Sequence, residues 1–237
     1  MVRDRLNISM KFGGYLSSEQ MKPSSHSFYV NQFKRAIDLI VAIVTIPLWG
    51  GVCLLLCVLI KINMGGPVLF RQDRGGYRCE KFKLFKFRTM TQQKDANGDL
   101  LPDDQRITPL GRFIRSSSLD ELPSLLNVIL GDMSLIGPRP FIYDYMDYYT
   151  EEQKARHNLR PGVTGWAQIN GRNTITWEQK FEYDLWYVKN VSFWLDITII
   201  LKTFKKVLFR SNVNSNQDET MPRFDAGKIK RTSDNQS

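Results

Sequence analysis

Two adjacent acids, Asp120 and Glu121, stand where a helix is predicted to begin, and arginines surround them. Arg112 and Arg115 lie just upstream, and Arg139 sits between Pro138 and Pro140, which stiffen its loop. Acids at a helix start are commonplace, because the helix dipole favours negative charge in the first turn. The basic surroundings add a second reading. A guanidinium fork matches two phosphate oxygens and stays charged at any relevant pH. Free N–H groups at a helix start also attract phosphate. Two acids in that setting suit phosphoryl transfer, in which one carboxylate attacks phosphorus and the other holds a divalent cation that neutralises a diphosphate. Competing chemistries find little support: there is no G-x-x-x-x-G-K-[ST] loop and no G-x-S-x-G elbow. The only histidines are His26 and His157, which excludes a His-rich metal site, and His157 beside Arg156 reads as a solvated surface residue.

The elements that must position these groups follow from periodicity. Leu122, Leu125, Leu126, Ile129 and Leu130 are spaced as one face of a helix over residues 118–130. Pro123 is tolerated only in a first turn, so that helix should begin near 119–122, and Gly131 should end it. Upstream, Val68-Leu69-Phe70 reads as a short strand, Arg74-Gly75-Gly76 as a turn and Asn97-Gly98 as another. Residues 81–88 (KFKLFKFR) interleave basic and aromatic side chains. They read either as a half-exposed strand or helix edge, or as an edge facing phosphate or lipid headgroups. Downstream, residues 141–157 look helical, Trp166–Ile169 looks like a strand between turns, and 174–190 looks like a further helix. Residues 193–209 are amphipathic with Lys202, Lys205, Lys206 and Arg210 towards the end, the pattern of a helix in a membrane interface or of a surface helix packed on a core.

The strongest physical signal is an uncharged, mostly apolar run over residues 39–60. At about 1.5 Å per residue, a helix of that length could cross a hydrocarbon core of about 30 Å. Pro47 and Gly50-Gly51 near its middle predict a kink. Lys22, Lys34 and Arg35 precede the run and Lys61, Arg71, Arg74 and Arg78 follow it. Near equality of positive charge favours a re-entrant pair with both ends in the cytoplasm over a span, though weakly. The whole chain has 33 basic and 24 acidic side chains, a net charge of +9, which favours anionic partners without choosing among them. Cys53, Cys57 and Cys79 are odd in number and poorly spaced for a disulfide framework or zinc site; the first two read as small hydrophobes. Residues 1–30 and 211–237 are polar and read as tails, and the N-terminus has no apolar stretch of the signal-peptide kind.

Taken in order, several motifs resemble those of the bacterial sugar transferases, in particular the small monotopic phosphoglycosyl transferases. They are Lys34-Arg35-x-x-Asp38, residues 66–72 (GPVLFRQ), 86–90 (KFRTM), 115–123 (RSSSLDELP), 127–134 (NVILGDMS), 137–140 (GPRP), 160–172 (RPGVTGWAQINGR) and 187–190 (YVKN). The resemblance covers roughly residues 33–212. It implies transfer of a sugar-1-phosphate from a UDP-sugar to a polyprenyl phosphate, usually undecaprenyl phosphate, with release of UMP. It further implies Asp120 as the nucleophile of a two-step reaction through a phosphosugar-aspartyl intermediate, Glu121 as the Mg²⁺ ligand, and Arg115 as a phosphate-binding arginine. Arg139 carries over as a phosphate or nucleotide contact, and Lys86 and Arg88 as further candidates beside Arg112. The implied fold is α+β and mostly helical. It comprises a kinked, re-entrant membrane-embedded helix (33–62), a small cytosolic catalytic domain with short strands and interfacial amphipathic helices (63–212), an N-terminal extension (1–32) and a disordered tail (213–237). The implied location is the cytoplasmic face of the bacterial inner membrane. Partners are the UDP-sugar, undecaprenyl phosphate and membrane lipids, with no nucleic acid; a homodimer is left open. The chain departs from the family in having Gly50-Gly51 where Ser-Pro is usual, with its proline four residues earlier. It also lacks the extra N-terminal transmembrane domain of the larger relatives, which points to the small class. Two alternatives stand beside this reading: a membrane-associated glycosyltransferase releasing UDP, and a non-enzymatic basic membrane adaptor.

Overall fold

A computed structural model describes residues 28–171 and 175–208, together with Phe224. The expected tails at 1–27 and beyond 208, and Arg210, lie outside the described residues. The apolar run forms two helices, α1 (Lys34–Val44) and α2 (Ile46–Met64), broken at Thr45. Pro47 sits in the first turn of α2, where its missing N–H interrupts nothing. The carbonyls left over at the end of α1 find side-chain donors. The Thr45 hydroxyl donates to Val41 O at 2.6 Å, and the Trp49 indole N–H donates to Ala42 O at 3.0 Å. Such internal satisfaction is what an apolar solvent demands of a broken helix. Gly50 and Gly51 lie within α2 without breaking it, so the kink falls at the proline, not the glycines. Glycine weakens a helix by about 1 kcal/mol, whereas proline cannot continue the ladder.

Among the described residues α2 is the helix long and apolar enough to cross a membrane. Only Leu56 and Ile60 of it are buried, while Leu48, Leu54, Leu55, Val58, Leu59 and Ile62 are exposed. Exposed apolar surface of that extent marks a lipid or partner contact.

Both ends of this helix pair are fastened to the domain that follows. At the start, Lys34 Nζ lies 2.5 Å from Asp196 Oδ2, Arg35 donates to Val128 O at 2.6 Å and Ile129 O at 3.2 Å, and Asp38 accepts from the Ser134 hydroxyl at 2.6 Å. Residue 29, assigned from sequence to a tail, joins this anchor: the Tyr29 hydroxyl donates to Asp196 Oδ2 at 2.7 Å. At the far end, the Arg88 guanidinium closes on the last carbonyl of α2, Met64 O, and on the two that follow it, Gly65 O at 2.8 Å and Gly66 O at 2.9 Å.

Next comes an antiparallel hairpin of β1 (Leu69–Gly75) and β2 (Lys81–Phe87). The turn expected at Arg74–Gly76 falls later, over Gly76–Glu80, where Arg78 and Cys79 carry the positive φ values. Arg74 is therefore a strand residue paired with Phe82. Residues directly opposite in an antiparallel pair share a face, and side chains alternate along a strand. Arg74 thus shares a face with Phe82, Leu84 and Lys86. Phe82 and Leu84 are buried on that face with Val128 and Met133.

Two short helices follow, α3 (Asp103–Arg106) and α4 (Pro109–Ser116). A Cβ at Gly111 would fall 1.9 Å from Thr89 O, so only glycine lets α4 lie this close to the chain after β2. The expected helix over 118–130 is split: a 3₁₀ turn at Leu119–Glu121, then α5 (Ser124–Leu130) closed by Gly131 at φ 101°. Pro123 lacks an N–H, so the α ladder starts after it. A parallel pair, β3 (Ser134–Ile136) with β4 (Gly162–Thr164), ties the middle of the chain to its end. Between them, the helix expected over 141–157 resolves into 3₁₀ turns at Tyr143–Tyr148 and Ala155–Asn158 flanking α6 (Glu151–Lys154). Thr150 and Gln153 form a capping box there and restart the helix. The strand expected at Trp166–Ile169 is instead a helix, α7 (Trp166–Asn170). The strand lies four residues earlier, where Gly162 and Gly137 let the two backbones touch. Helices α8 (Trp177–Asn190) and α9 (Phe193–Leu208) complete the domain. Tyr187, Val188 and Ile199 bury with Ile136 in its core, while α9 leaves Trp194, Leu201 and Phe204 exposed. Cys53, Cys57 and Cys79 are free thiols, and the first two pack beside Leu56 and Ile60.

Candidate active site

The 3₁₀ turn Leu119–Glu121 delivers both acids to one place, and Ser118 before it takes φ 58°, a left-handed conformation. Opposite lies the inward face of β2. Lys86 Nζ is 2.8 Å from Glu121 Oε1 and 3.7 Å from Asp120 Oδ2. Arg139 Nη2 meets the same Glu121 oxygen at 2.8 Å. The strand is held against the acids by Asn127 of α5, which is fully buried. Its amide accepts from Phe85 N at 3.0 Å and donates to Lys83 O at 2.9 Å, acting as one more rung along the free edge of β2.

The two carboxylates are in opposite electrostatic states. Burial and the neighbouring Glu121 push Asp120 above the usual carboxylate range, against the pull of Lys86, Arg139 and Arg115. Burial acts on Glu121 too, but Arg139 and Lys86 outweigh it and hold Glu121 far below its usual value. Glu121 in turn raises Arg139. One acid is locked in ion pairs, and its neighbour is a high-energy carboxylate without a short one. Environments that push paired carboxylates apart assign them different tasks.

The site residues expected from sequence are distributed unevenly. Asp120, Glu121, Lys86 and Arg139 converge. Arg115 stands behind Asp120: its Nε donates to the Thr89 hydroxyl at 2.9 Å, and its charge acts on the Asp120 carboxylate. Arg112 lies on the exposed side of α4. Arg88 is buried and spends its guanidinium on the end of α2, so it is not brought to the acids. His157, expected at the surface, is buried, with Nδ1 2.7 Å from Gly76 O. Burial and the adjacent Arg156 push it down to about 3, so the ring is neutral and donates from Nδ1. Its neighbour Arg156 is also buried: it pairs with Asp184 Oδ2 at 2.5 Å, stacks 3.9 Å over the Phe141 ring and donates to Arg139 O. These two consecutive residues thus pin the two segments that carry Arg74 and Arg139. The sequence reading missed Arg74, Asn127 and Arg156. For Arg74, the signal was its even spacing to Gln72 along the strand, obscured by the glycines that mimic a turn.

A narrow cleft open to solvent runs between these elements, lined by Arg74, Lys86, Glu121, Arg139, Ser124 and Val163 among others. No three His, Cys, Asp or Glu side chains cluster as a ligand set among the described residues. The acids therefore offer no closed cage. They do suit Mg²⁺, which commonly takes one or two carboxylates and fills its shell with substrate phosphate oxygens and water.

A family model described as "Bacterial sugar transferase" matches residues 29–210. The chain belongs to the bacterial sugar transferase family. This sugar transferase is 49% identical over 191 residues to the uncharacterized sugar transferase EpsL of Bacillus subtilis (strain 168), covering 81% of this chain and 95% of that protein. It is 40% identical over 194 residues to a UDP-glucose:undecaprenyl-phosphate glucose-1-phosphate transferase of Caulobacter vibrioides, covering 76% and 71%. It is also 40% identical over 183 residues to a UDP-N-acetylgalactosamine-undecaprenyl-phosphate N-acetylgalactosaminephosphotransferase of Aeromonas hydrophila, covering 74% of this chain and 43% of the relative.

Proposed function

We propose that this transferase moves a sugar-1-phosphate from a UDP-sugar to undecaprenyl phosphate, releasing UMP, as the first membrane-bound step of a surface glycan. The observation that carries the reading is the split pair: Asp120 raised and held outside short ion pairs, Glu121 lowered and clamped by Lys86 and Arg139. The named undecaprenyl-phosphate sugar phosphotransferases among its relatives supply the substrate class.

In the proposed first step an Asp120 carboxylate oxygen attacks the phosphorus bonded to the sugar. The bond from that phosphorus to the bridging oxygen breaks, and UMP leaves with the oxygen and its electron pair. An aspartyl-phosphosugar remains. In the second step an oxygen of undecaprenyl phosphate attacks the same phosphorus, the bond to Asp120 breaks, and the carboxylate is restored. Arg139 and Lys86 offset the charge that accumulates on the phosphate oxygens, the kind of preorganised stabilisation that dominates such reactions. Lys86, Arg139 and Arg115 favour the ionised form of Asp120 against its burial and the neighbouring Glu121. Glu121, with diphosphate oxygens, would hold Mg²⁺, which neutralises the leaving phosphate.

The anchors support one membrane geometry. A straight helix through residues 34–64 would separate its ends by about 45 Å. Lys34 and Asp38 at one end and Met64 at the other are instead hydrogen-bonded to one small domain. That supports a re-entrant hairpin with its bend at Thr45–Pro47, the catalytic domain on the cytoplasmic face, and α9 lying in the interface.

The test is release of UMP across a panel of UDP-sugars with undecaprenyl phosphate in detergent, followed by mass spectrometry for a phosphosugar adduct on Asp120. Release of UDP, or full turnover by Asp120→Asn, would overturn the mechanism. Chelation of divalent ions is expected to stop turnover. Cysteines placed near residues 20 and 230 are expected to label from the same side of the membrane; labelling from opposite sides would establish a span.

A further inference from the structure

Three cations line the cleft, Arg74, Lys86 and Arg139, against one carboxylate, Glu121. Two of the three are accounted for by Glu121, which takes both Lys86 and Arg139 on one oxygen. Arg74 has no carboxylate within ion-pair distance among the described residues. Its Nη1 donates to Pro140 O at 3.0 Å and its Nη2 to Gln72 Oε1 at 2.5 Å, both uncharged acceptors, and its Nε is buried without a partner. Burial and the Arg139 guanidinium push Arg74 down to about 10. Two guanidiniums that repel each other thus line one cleft with a single carboxylate, Glu121, which pairs with Arg139. Burying a charge without a counter-charge is unfavourable, and a fold keeps such an arrangement where an anion completes it.

The scaffold holds Arg74 in place for this purpose. The main chain after it is bonded to the loop carrying Arg139, through Gly75 N to Phe141 O at 3.1 Å, and Arg74 itself bridges to Ile142. His157 holds the carbonyl of Gly76 next along the chain. The two arginines are therefore tied through one scaffold, and both line the same cleft as Glu121.

We propose that Arg74 is a phosphate-binding residue of this site, forming with Arg139 a two-guanidinium subsite for phosphate oxygens. The inference rests on the transfer reaction proposed above and adds a residue to it. The chemistry fits either the diphosphate of the nucleotide-sugar or the phosphate of the lipid acceptor, and the experiment separates them.

Binding of two probes, UDP with Mg²⁺ and undecaprenyl phosphate in detergent micelles, is measured on the full chain for wild type, Arg74→Gln and Arg74→Lys. Removing one partner of a desolvated charge contact is expected to weaken one probe or both by roughly tenfold to a hundredfold in Arg74→Gln. Lysine is expected to recover only part, because it supplies a point charge without the fork. Loss for UDP alone assigns the subsite to the nucleotide-sugar, loss for the lipid alone assigns it to the acceptor, and loss for both makes it shared. Each of these supports the proposal. Equal affinity for both probes in a folded Arg74→Gln overturns it while leaving the transfer reaction standing. Wild-type protein that binds neither probe overturns the transfer reading and this inference together. Should Arg74→Gln fail to fold, labelling of wild-type Arg74 by phenylglyoxal decides: protection by a saturating probe supports the subsite, and an unchanged labelling rate with both overturns it.

Discussion

Two charge clusters in this transferase are built from the same side-chain types and differ in how they are balanced. At the root of α1, Lys34 and Asp196 are paired at 2.5 Å with side chains only 8% and 2% exposed. Tyr29 and Tyr187 donate to the two Asp196 oxygens, each at 2.7 Å. Both hydroxyls are pushed up by burial and by Asp196, so they remain donors at any ordinary pH. Every acceptor there is met from within the protein, and nothing is left to bind. The cleft is lined by Arg74, Lys86 and Arg139 against Glu121, with Asp120 and Arg115 beside it, so the lining cations are in excess. The anchor is closed by protein groups, whereas the cleft carries cations that its one lining carboxylate does not balance, as the proposed phosphate subsite requires. Compensation, more than charge density, separates a structural cluster from a reactive one.

The largest expected effect breaks the cleft at its acids. Asp120→Asn is expected to lower UMP release by about a thousandfold or more, since it removes the proposed attacking group. It is also expected to raise the unfolding midpoint. The folded pKa of Asp120 lies above its unfolded value, so ionising this group destabilises the fold as pH rises through the folded pKa. The advantage of the asparagine variant should vanish below about pH 4, near the unfolded pKa, and grow above it. Glu121→Gln is expected to be nearly as inactive but to move stability the other way. Its folded pKa is depressed, so its contribution is present above the unfolded pKa, about 4.3, and fades as pH falls. Thermal unfolding of the three proteins across pH 3–8 tests the opposite signs; a shared sign would mean that the two acids are not split.

Breaking the anchor is expected to cost stability and leave chemistry alone. Asp196→Asn or Lys34→Met strands one buried partner, at about 3–5 kcal/mol. The midpoint should fall while KM for both substrates in the remaining folded enzyme stays unchanged. The double variant Lys34→Met/Asp196→Leu should recover much of the loss, because a buried pair replaced by packed apolar groups is often neutral. The same double replacement at Lys86 and Glu121 should restore no activity.

The two clusters were unequally legible in the sequence. The acids and Arg139 announced themselves, because adjacent carboxylates among arginines and prolines are a local pattern. The anchor was invisible, since Lys34 and Asp196 are 162 residues apart and only the fold joins them. Arg74 was hidden behind Gly75-Gly76, which read as a turn while the left-handed residues were Arg78 and Cys79. His157 was misjudged as a surface residue, and Arg88 is found away from the acids, for a common reason: a basic side chain reads as solvent- or phosphate-facing until backbone carbonyls are found to take its donors. Helix positions fared better than their starts and stops. Gly131 ended α5 as expected, whereas Pro123 and Thr150 divided segments whose apolar spacing looked continuous. Trp166 and Ile169 carried strand-forming side chains on what became a helix, the usual outcome when tertiary packing overrides propensity.

A smaller effect tests how the strand edge is fixed. Asn127→Leu keeps the number and branching of the side-chain heavy atoms but leaves Phe85 N–H and Lys83 C=O without their partner. Each unmet group costs about 1–3 kcal/mol. Because these rungs hold the strand that carries Lys86, kcat should fall together with the unfolding midpoint. At the anchor, by contrast, only the midpoint should move.

The smallest effect concerns strain in the turn before the acids. Ser118 is held at φ 58°, and no residue of the anchor has a positive φ. Left-handed backbone costs an L-residue about 1–2 kcal/mol, which Ser118→Gly would relieve. Glycine also frees the unfolded chain, offsetting about 0.5–1 kcal/mol of that gain. Stability should therefore rise by about 1 kcal/mol at most. Activity should fall severalfold, because the turn that carries the proposed nucleophile Asp120 becomes less confined and positioning is worth a large share of such rates. Ser118→Val sharpens the contrast: a β-branched side chain disfavours this conformation further, so its midpoint should lie below that of both wild type and the glycine variant. Measured together, midpoint and kcat separate strain that holds the acids in place from strain that is merely tolerated. A glycine variant more stable and equally fast would assign Ser118 to the second kind.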